Sequence, residues 1–329
     1  MKRLFLLLIT AIACGVGTMA QDNRVATLQH GSNITAFYGD DALGAAHYNA
    51  VDGDVITLSA GEFKGCNIDK ALTIRGESPS KTSIKGSNLT FTIPAGSVYT
   101  LSFEGVNVTI GGNFNFKGAD GTEKVVISKC YFYAYYGTRF SNCNATVIQS
   151  QFDHNDSYAQ SIYAQSGSNV TCINSTCKSV KCDNSSDSNN GKFDIQNCVL
   201  WGTNSSGYGI YHSSIKNTII YAVLSLDGTN TSSHCLVKEG CSGFADSWYI
   251  QVNPNQYDTE AVSWADLFSN DFQLTEDAAA TYHGTDGTQV GIYGGMYPYN
   301  ATPDYPLVKK LDVIGSHKDG KLNVKINVE

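Results

Sequence analysis

The stretch VVISKCYF, residues 125–132, is the first of five segments that share one pattern, apolar-x-apolar-x-polar-small-x-apolar. The other four segments are ATVIQSQF (145–152), VTCINSTC (170–177), FDIQNCVL (193–200) and SSIKNTII (213–220). Successive segments start 20 to 25 residues apart. Two further segments fit upstream, LSFEGVNV (101–108) closely and ALTIRGES (71–78) more loosely. The chain is therefore a repeat in which each unit supplies the same short motif.

Each segment alternates apolar and polar residues, which is the pattern of a half-buried strand. The residues between segments show no helical pattern, which excludes βαβ units, yet they are long enough for the crossover that parallel strands need. We therefore expect an all-β fold, a single-stranded right-handed parallel β-helix. The composition agrees, since 32 Gly, 19 Tyr and only 16% charged residues favour strands and turns over a helical bundle.

Aligning the five segments places similar residues in columns. The turn column, whose three Asn suit left-handed backbone, contains Lys129, Gln149, Asn174, Asn197 and Asn217. The small column contains Cys130, Ser150, Ser175, Cys198 and Thr218. The core column contains Phe132, Phe152, Cys177, Leu200 and Ile220. We expect the core column to fill the inside of the solenoid.

Both ends of a solenoid must be closed, because an open coil offers unpaired backbone to other chains. Residues 40–50 predict a short capping helix that begins near the Asp40-Asp41 pair, and residues 55–58 predict the first strand. Residues 242–300 lose the coil pattern, and the alternation at 321–328 predicts one more strand. The expected organisation is a signal peptide at 1–20, the β-helix with its caps at 21–300 and a C-terminal β tail at 301–329.

Residues 1–20 predict export. Two basic residues precede an apolar run at 4–13, and small residues at 18 and 20 meet the rule for signal cleavage. The apolar run is too short for the roughly 20 residues that span a membrane. A competing interpretation is lipid attachment at Cys14. We expect a periplasmic, cell-surface or extracellular protein with no transmembrane segment in its mature chain.

Cleavage after residue 20 leaves nine cysteines, an odd number that forbids complete intramolecular pairing. Their spacing does not repeat a Cys-x-x-Cys pair, so no zinc site is expected. Export permits disulfides, but several of these thiols fall in the repeat segments and are expected to be buried fillers. The formal net charge of −8 and the scattered arginines disfavour nucleic acid as a partner.

The chain resembles the right-handed parallel β-helix proteins of the pectin-lyase-like superfamily, and specifically secreted bacterial members of unassigned function. The resemblance rests on the repeat segments, on residues 53–61 and 72–76, and on the glycine-rich residues 284–295 with the tail at 320–326. It implies the fold. It implies little about activity, because this fold hosts lyases, hydrolases, adhesins and inert spikes.

Catalytic signatures of that superfamily are missing from the sequence. A lyase needs a base and a cation that neutralises a uronate carboxylate, but Arg139 is the single arginine of the five-segment region. A glycoside hydrolase needs two carboxylates at a defined separation, and helix capping explains Asp40-Asp41 better. We expect no cofactor. We expect an exported protein that binds polysaccharide or a surface partner. The alternatives are a polysaccharide lyase or glycoside hydrolase with a non-standard site, and a purely structural or adhesive surface protein.

One surface stripe is the candidate binding site. The position after the core column is occupied in successive coils by Tyr133, Asp153, Lys178, Trp201 and Tyr221. Strands about 4.8 Å apart would set these side chains into a ladder roughly 20 Å long. Aromatic faces stack on sugars and the charged groups bind hydroxyls, so the stripe predicts a polysaccharide groove. The alternative is that the column points inward or that its aromatics merely cover the solenoid.

Two further features of the sequence have both a functional and an ordinary explanation. His154, next to the stripe, is a candidate base, although a lone histidine is more often a plain surface residue. Residues 183–191 are rich in Asp, Asn and Ser but lack the regular spacing of a calcium loop. An excursion between coils explains them better, and no metal site is expected.

Overall fold

The structure is a computed structural model that describes residues 24–155, 160–183, 190–202, 209–221, 224–251, 263–270, 272–303, 308–313 and 324–328. It is an all-β parallel solenoid of about six turns with a short helix near its N-terminus. The fold class predicted from the repeat, a right-handed parallel β-helix with an N-terminal helix, is confirmed. The predicted signal peptide lies outside the described residues.

The strands of the solenoid are short, between two and six residues each. In chain order they are β1 (Val25–His30), β2 (Asn33–Tyr38), β3 (Val55–Leu58), β4 (Gly61–Lys64), β5 (Thr73–Arg75), β6 (Thr82–Gly86), β7 (Leu89–Thr92), β8 (Leu101–Glu104), β9 (Asn107–Ile110), β10 (Phe114–Lys117), β11 (Lys124–Ser128), β12 (Tyr131–Ala134), β13 (Thr138–Ser141), β14 (Asn144–Ile148), β15 (Gln151–Asp153), β16 (Ile162–Ala164), β17 (Asn169–Ile173), β18 (Thr176–Cys177), β19 (Val180–Cys182), β20 (Lys192–Gln196), β21 (Val199–Leu200), β22 (Ser214–Lys216), β23 (Ile219–Ile220), β24 (Thr231–Ser233), β25 (Leu236–Lys238) and β26 (Trp248–Ile250).

Each complete coil gives one strand to each of three sheets. The first sheet has the order β2-β1-β3-β5-β8-β11-β14-β17-β20-β22-β24. The second has the order β26-β25-β23-β21-β18-β15-β12-β9-β6-β4. The third has the order β19-β16-β13-β10-β7. Within the stack, equivalent residues of the repeat pair directly, as Ile127 does with Val147 and Cys172 with Ile195.

The turn column joins the first sheet to the second, and it adopts the left-handed backbone that its Asn residues predict. The φ angles of Lys129, Gln149, Asn174, Asn197 and Asn217 lie between 46° and 53°. Each residue of the small column comes directly after a residue of the turn column, and its side chain is a small hydroxyl or thiol group. The Ser150 hydroxyl donates to the Ile148 carbonyl at 2.8 Å and accepts from the Cys130 amide at 3.1 Å. Each hydroxyl thus satisfies backbone groups at the bend.

The core column is fully inside the solenoid, as predicted. Its five residues are at most 1% exposed. Phe132 and Phe152 stack with ring centroids 5.0 Å apart and planes 6° apart, because equivalent positions of adjacent coils lie one strand spacing apart. All nine cysteines from Cys66 onward are free thiols, and all but Cys66 are buried. The expectation that thiols fill the core is therefore correct.

The N-terminal end of the solenoid is covered by helix α1 (Ala42–Asn49) and by the hairpin β1–β2. The helix was predicted, whereas the hairpin was not. Strand β1 pairs antiparallel with β3, so Leu28 lies opposite Ile56. Asp41 occupies the N-cap position but its side chain makes no capping hydrogen bond. The expected capping role of Asp40-Asp41 is therefore not fulfilled by Asp41, whose Oδ1 lies 3.8 Å from Lys64 Nζ.

The chain does not stop at the last coil but turns back along the stack. It passes through a 3₁₀ helix (Trp264–Leu267), the antiparallel pair β27 (Phe268–Asn270) and β28 (Gln273–Leu274), and helix α2 (Glu276–Thr281). Residues 282–302, which we name the C-terminal strap, then follow the turn column toward earlier coils. Near position 285 the strap contacts Asn217, and at position 302 it contacts Lys129, which lies four coils earlier in the turn column.

Side chains of the turn column hold the strap by its backbone. Asn174 Nδ2 donates to the carbonyls of Ile292 at 2.8 Å and Gly294 at 2.6 Å. Gln149 Nε2 donates to the Pro298 carbonyl at 2.5 Å, and Lys129 Nζ donates to the Thr302 carbonyl at 2.7 Å. The column that forms the bend of each coil is therefore also the attachment site of the strap.

A second hydrophobic cluster lies under the strap, on the outside of the solenoid. Val199, Ile219 and Leu236 face outward from the second sheet, yet each is 0% exposed because the C-terminal residues cover them. The cluster includes Trp264 and Ile292 from the covering segment. The end of the chain thus packs against the side of the solenoid, not only against its last coil.

The predicted tail strand is present in part. β30 (Val324–Val328) pairs antiparallel with β29 (Val308–Val313) in a separate two-stranded sheet. Residues 314–323 lie outside the described residues. Within the described ranges no helix is long and apolar enough to cross a membrane.

Candidate functional site

The five residues of the predicted stripe stack as a column at the outer edge of the second sheet. Tyr133 pairs with Asp153 across β12 and β15. The Trp201 amide donates to the Cys177 carbonyl at 3.1 Å, and the Tyr221 amide to the Leu200 carbonyl at 2.7 Å, which continues the ladder. All five side chains are partly exposed. None of them points into the solenoid core.

The middle of the stripe is a connected group of charged and aromatic side chains. Lys178 Nζ lies 3.6 Å from Asp153 Oδ1 and 5.6 Å from the centroid of the Trp201 ring. The same ammonium donates to the His154 carbonyl at 2.8 Å. The His154 amide donates to Asp153 Oδ1 at 2.7 Å. These contacts fix the Asp153 carboxylate and the face of the Trp201 indole relative to each other.

A cavity of about 350 Å³ opens between the second sheet and the C-terminal strap. Such a volume is at the lower end of the range for small-ligand pockets. The solenoid contributes Tyr131, Gln151, Phe152, Asp153, Thr176 and Trp201 to its lining. The C-terminal segment contributes Phe272, Ile292, Tyr293 and Tyr299. We name this cavity the strap pocket.

The structure brings only part of the predicted stripe into the strap pocket. Asp153 and Trp201 line it, whereas Tyr133, Lys178 and Tyr221 do not. Tyr221 packs instead against Trp264, with ring centroids 5.5 Å apart, and Lys238 Nζ lies 4.3 Å from its ring centroid. The stripe is therefore not one open ladder, because the C-terminal segment covers its later coils.

Sequence reasoning missed the residues that come from other columns and from the strap. Tyr131 lies two positions before Tyr133 and faces the same side of the sheet, so the alternation within β12 could have identified it. Tyr293 and Tyr299 could not be placed, since they lie outside the repeat. One signal did indicate a covering segment: β21, β23 and β25 are apolar at consecutive positions, which is typical of strands buried on both faces.

The tyrosines around the strap pocket are poor acids. Burial raises the pKa of Tyr131 and of Tyr133, and the Asp153 charge raises both further. Burial also raises the pKa of Tyr299. Their hydroxyl groups are therefore neutral in the physiological pH range and act as both hydrogen-bond donors and acceptors.

His154 is not the plain surface residue that a lone histidine suggests. It is 6% exposed, and its Nε2 lies 3.0 Å from the Ser179 hydroxyl. The imidazole is directed into the solenoid, whereas the neighbouring Asp153 faces the strap pocket. The candidate base is thus held in a buried hydrogen bond, and it does not line the pocket.

Arg139 lies on the third sheet, away from the strap pocket. It pairs in register with Asn115 and Tyr163 of the adjacent coils. The arginine that a lyase would use to neutralise a uronate is therefore not among the lining residues. Most of the Asp- and Asn-rich segment 183–191 lies outside the described residues, and those that are described include no cluster of three metal-ligating side chains.

Comparison with known proteins adds no relative: no family, no curated protein and no solved structure matches this chain. The β-solenoid class therefore rests on the repeat and on the register of its strands. The chemistry of the site must be argued from its own residues.

Proposed function

We propose that this chain is an exported β-helix protein that binds polysaccharide in the strap pocket. The observation that carries the proposal is the joint lining of one cavity by aromatic side chains from two distant parts of the chain. Trp201 and Tyr131 come from the solenoid, and Tyr293 and Tyr299 come from the strap. Aromatic faces pack on the C–H surfaces of sugar rings, while Asp153 and the tyrosine hydroxyls offer hydrogen bonds to sugar hydroxyls.

Export and membership of the pectin-lyase-like superfamily are parts of the same proposal. Support for export comes from the basic, apolar and small-residue pattern of residues 1–20. Support for the superfamily comes from the parallel solenoid of about six turns and from the segments quoted above. A protein outside the cytoplasm meets polysaccharide as a common partner, which fits the chemistry of the pocket.

A second cavity, of about 310 Å³, lies on the outer face of the first sheet. Its lining residues include Lys192, Asp194 and His212, and Phe193 is the one Phe, Tyr or Trp among them. Phe193 is 3% exposed and offers little ring surface. The strap pocket is the better sugar site because stacking needs accessible ring faces.

The residues that line the strap pocket favour binding without catalysis. A glycoside hydrolase uses two carboxyl groups across the bond that it cleaves. Among the described residues that line the strap pocket, Asp153 supplies a single carboxyl group. Absorbance of unsaturated products from pectate, alginate and chondroitin is therefore expected to stay flat, and turnover on any of them would establish the enzyme alternative.

The test is a paired substitution, Trp201→Ala against Tyr221→Ala, in a protein first screened on a polysaccharide array. Both aromatics are partly buried and pack against the same outer cluster, but only Trp201 lines the pocket. Trp201→Ala is expected to weaken binding about 30-fold, which corresponds to roughly 2 kcal/mol. Tyr221→Ala is expected to leave affinity within about threefold.

Calorimetric titration measures both affinities, and thermal melting shows how much stability each variant loses. Similar melting losses with a binding loss only in Trp201→Ala support the proposal. Equal binding losses in the two variants, or failure of the intact protein to bind any polysaccharide on the array, would refute it.

A further inference from the structure

The Asp153 carboxylate presents one unused oxygen. Its two described contacts, the His154 amide at 2.7 Å and Lys178 Nζ at 3.6 Å, are both made by Oδ1. Oδ2 accepts no hydrogen bond from any residue that the structure describes. An ionised carboxylate has about four acceptor positions, so this oxygen is available to hydroxyl donors.

The charge that lines the strap pocket is the Asp153 carboxylate, and Lys178 Nζ, 3.6 Å from Oδ1, offsets part of it from outside the lining. Asp153 is the one charged side chain among the described lining residues; the others are aromatic, aliphatic, amide or hydroxyl groups. Lys178 does not line the pocket, and its ammonium already donates to the His154 carbonyl. Arg139 is on another sheet. A carboxylate brought to Oδ2 in place of a sugar hydroxyl would therefore meet repulsion that Lys178, which contacts Oδ1, offsets only in part, and it could donate no hydrogen bond to Oδ2.

We propose that the strap pocket selects an uncharged sugar, whose hydroxyl groups donate to Asp153 Oδ2 while its ring stacks on Trp201, and that it rejects uronic acids. This inference rests on the proposed function, since it names the class of polysaccharide for the same pocket. A sugar hydroxyl is a donor that a carboxylate accepts strongly, and an uncharged ring loses little solvation against Tyr293 and Tyr299.

The experiment compares two oligosaccharides of equal length and linkage that differ only at C6, a galactose oligomer and the corresponding galacturonate oligomer, and likewise a glucose and a glucuronate pair. Affinities are measured by calorimetry for the intact protein, for Asp153→Asn and for Asp120→Asn. Asp120 carries the same charge at an exposed loop position and is the matched control.

The intact protein is expected to bind the neutral member of at least one pair at least tenfold more tightly than the uronate. In Asp153→Asn the difference is expected to shrink to threefold or less, because the neutral oligomer loses a charged acceptor and the uronate loses a repulsion. Asp120→Asn is expected to keep the discrimination of the intact protein. High salt is expected to narrow the gap in the intact protein and not in Asp153→Asn.

The same measurements separate failure of this inference from failure of the proposed function. Equal or tighter binding of the uronates by the intact protein would overturn this inference and leave polysaccharide binding standing. Discrimination that survives in Asp153→Asn, with melting unchanged, would also overturn it, because another group would then be the source. Absence of binding to every oligomer and to the polysaccharide array would refute the proposed function itself.

Discussion

At the scale of single residues, the turn column carries two roles that are usually assigned to different positions. Asn174 adopts a left-handed φ of 46°, and its side-chain amide also holds two carbonyls of the strap. The first role was predicted from the Asn-rich alignment, because Asn tolerates this conformation. The second could not be predicted, since residues that are 118 and 120 positions away must first be brought alongside.

Two substitutions at Asn174 separate these roles. Asn174→Gly keeps the left-handed backbone accessible and removes only the strap contacts, so we expect a loss of about 1–2 kcal/mol in unfolding free energy. Asn174→Ala adds the backbone penalty, a further loss of about 1 kcal/mol. Urea unfolding of both variants provides the measurement. A glycine variant as stable as the unchanged protein would show that the amide contacts contribute nothing.

At the scale of elements, the short strands of the second sheet change character along the solenoid. β15 alternates and leaves its outer face to solvent and the pocket, whereas β23 is apolar on both faces. The core column was predictable because alternation alone identifies an inward face. Whether the outer face is exposed or covered could not be predicted, because that depends on a covering segment that lies outside the repeat. The stripe predicted from the repeat lies on the outer face of the second sheet, and the C-terminal segment packs against its later coils.

Because the C-terminal segment covers the outer face, we expect Ile219 to contribute to the stability of the fold. This residue points away from the solenoid core and is nevertheless fully buried under the C-terminal segment. Ile219→Ala is expected to cost about 2–4 kcal/mol, as large as the loss from Ile220→Ala in the core. Val126→Ala is the control, because Val126 faces outward from the first sheet and is partly exposed. A cost for Ile219→Ala as small as that of the control would contradict the docking of the segment.

At the scale of the whole molecule, eight buried free thiols lie among the described residues. Burial raises the pKa of Cys130 and of Cys143 to about 12, and of Cys182 and Cys235 to about 11. The ordinary value of a thiol is 9.0. Below pH 9 these thiols are protonated in both the folded and the unfolded chain, so their contribution to stability is complete. Between pH 9 and about 11 only the unfolded chain ionises, and stability is lost as pH rises.

This linkage predicts a steep alkaline loss of stability. Each such thiol contributes a slope of about −1.4 kcal/mol per pH unit within that window. Urea unfolding under reducing conditions at pH 8, 9 and 10 measures it. Cys130→Ala is expected to be less stable at pH 8 but to lose stability more slowly with rising pH, by up to about 1.4 kcal/mol per unit. Identical slopes for the variant and the unchanged protein would count against burial of this thiol in the folded state.

A crystal structure of the protein with its tightest-binding oligosaccharide would show directly whether the solenoid and the strap together form a sugar site. We expect a sugar ring stacked on the Trp201 indole, within the cavity closed by Tyr293 and Tyr299, with a hydroxyl group at hydrogen-bond distance from Asp153 Oδ2. A sugar bound on another face, with the strap pocket unchanged, would contradict it.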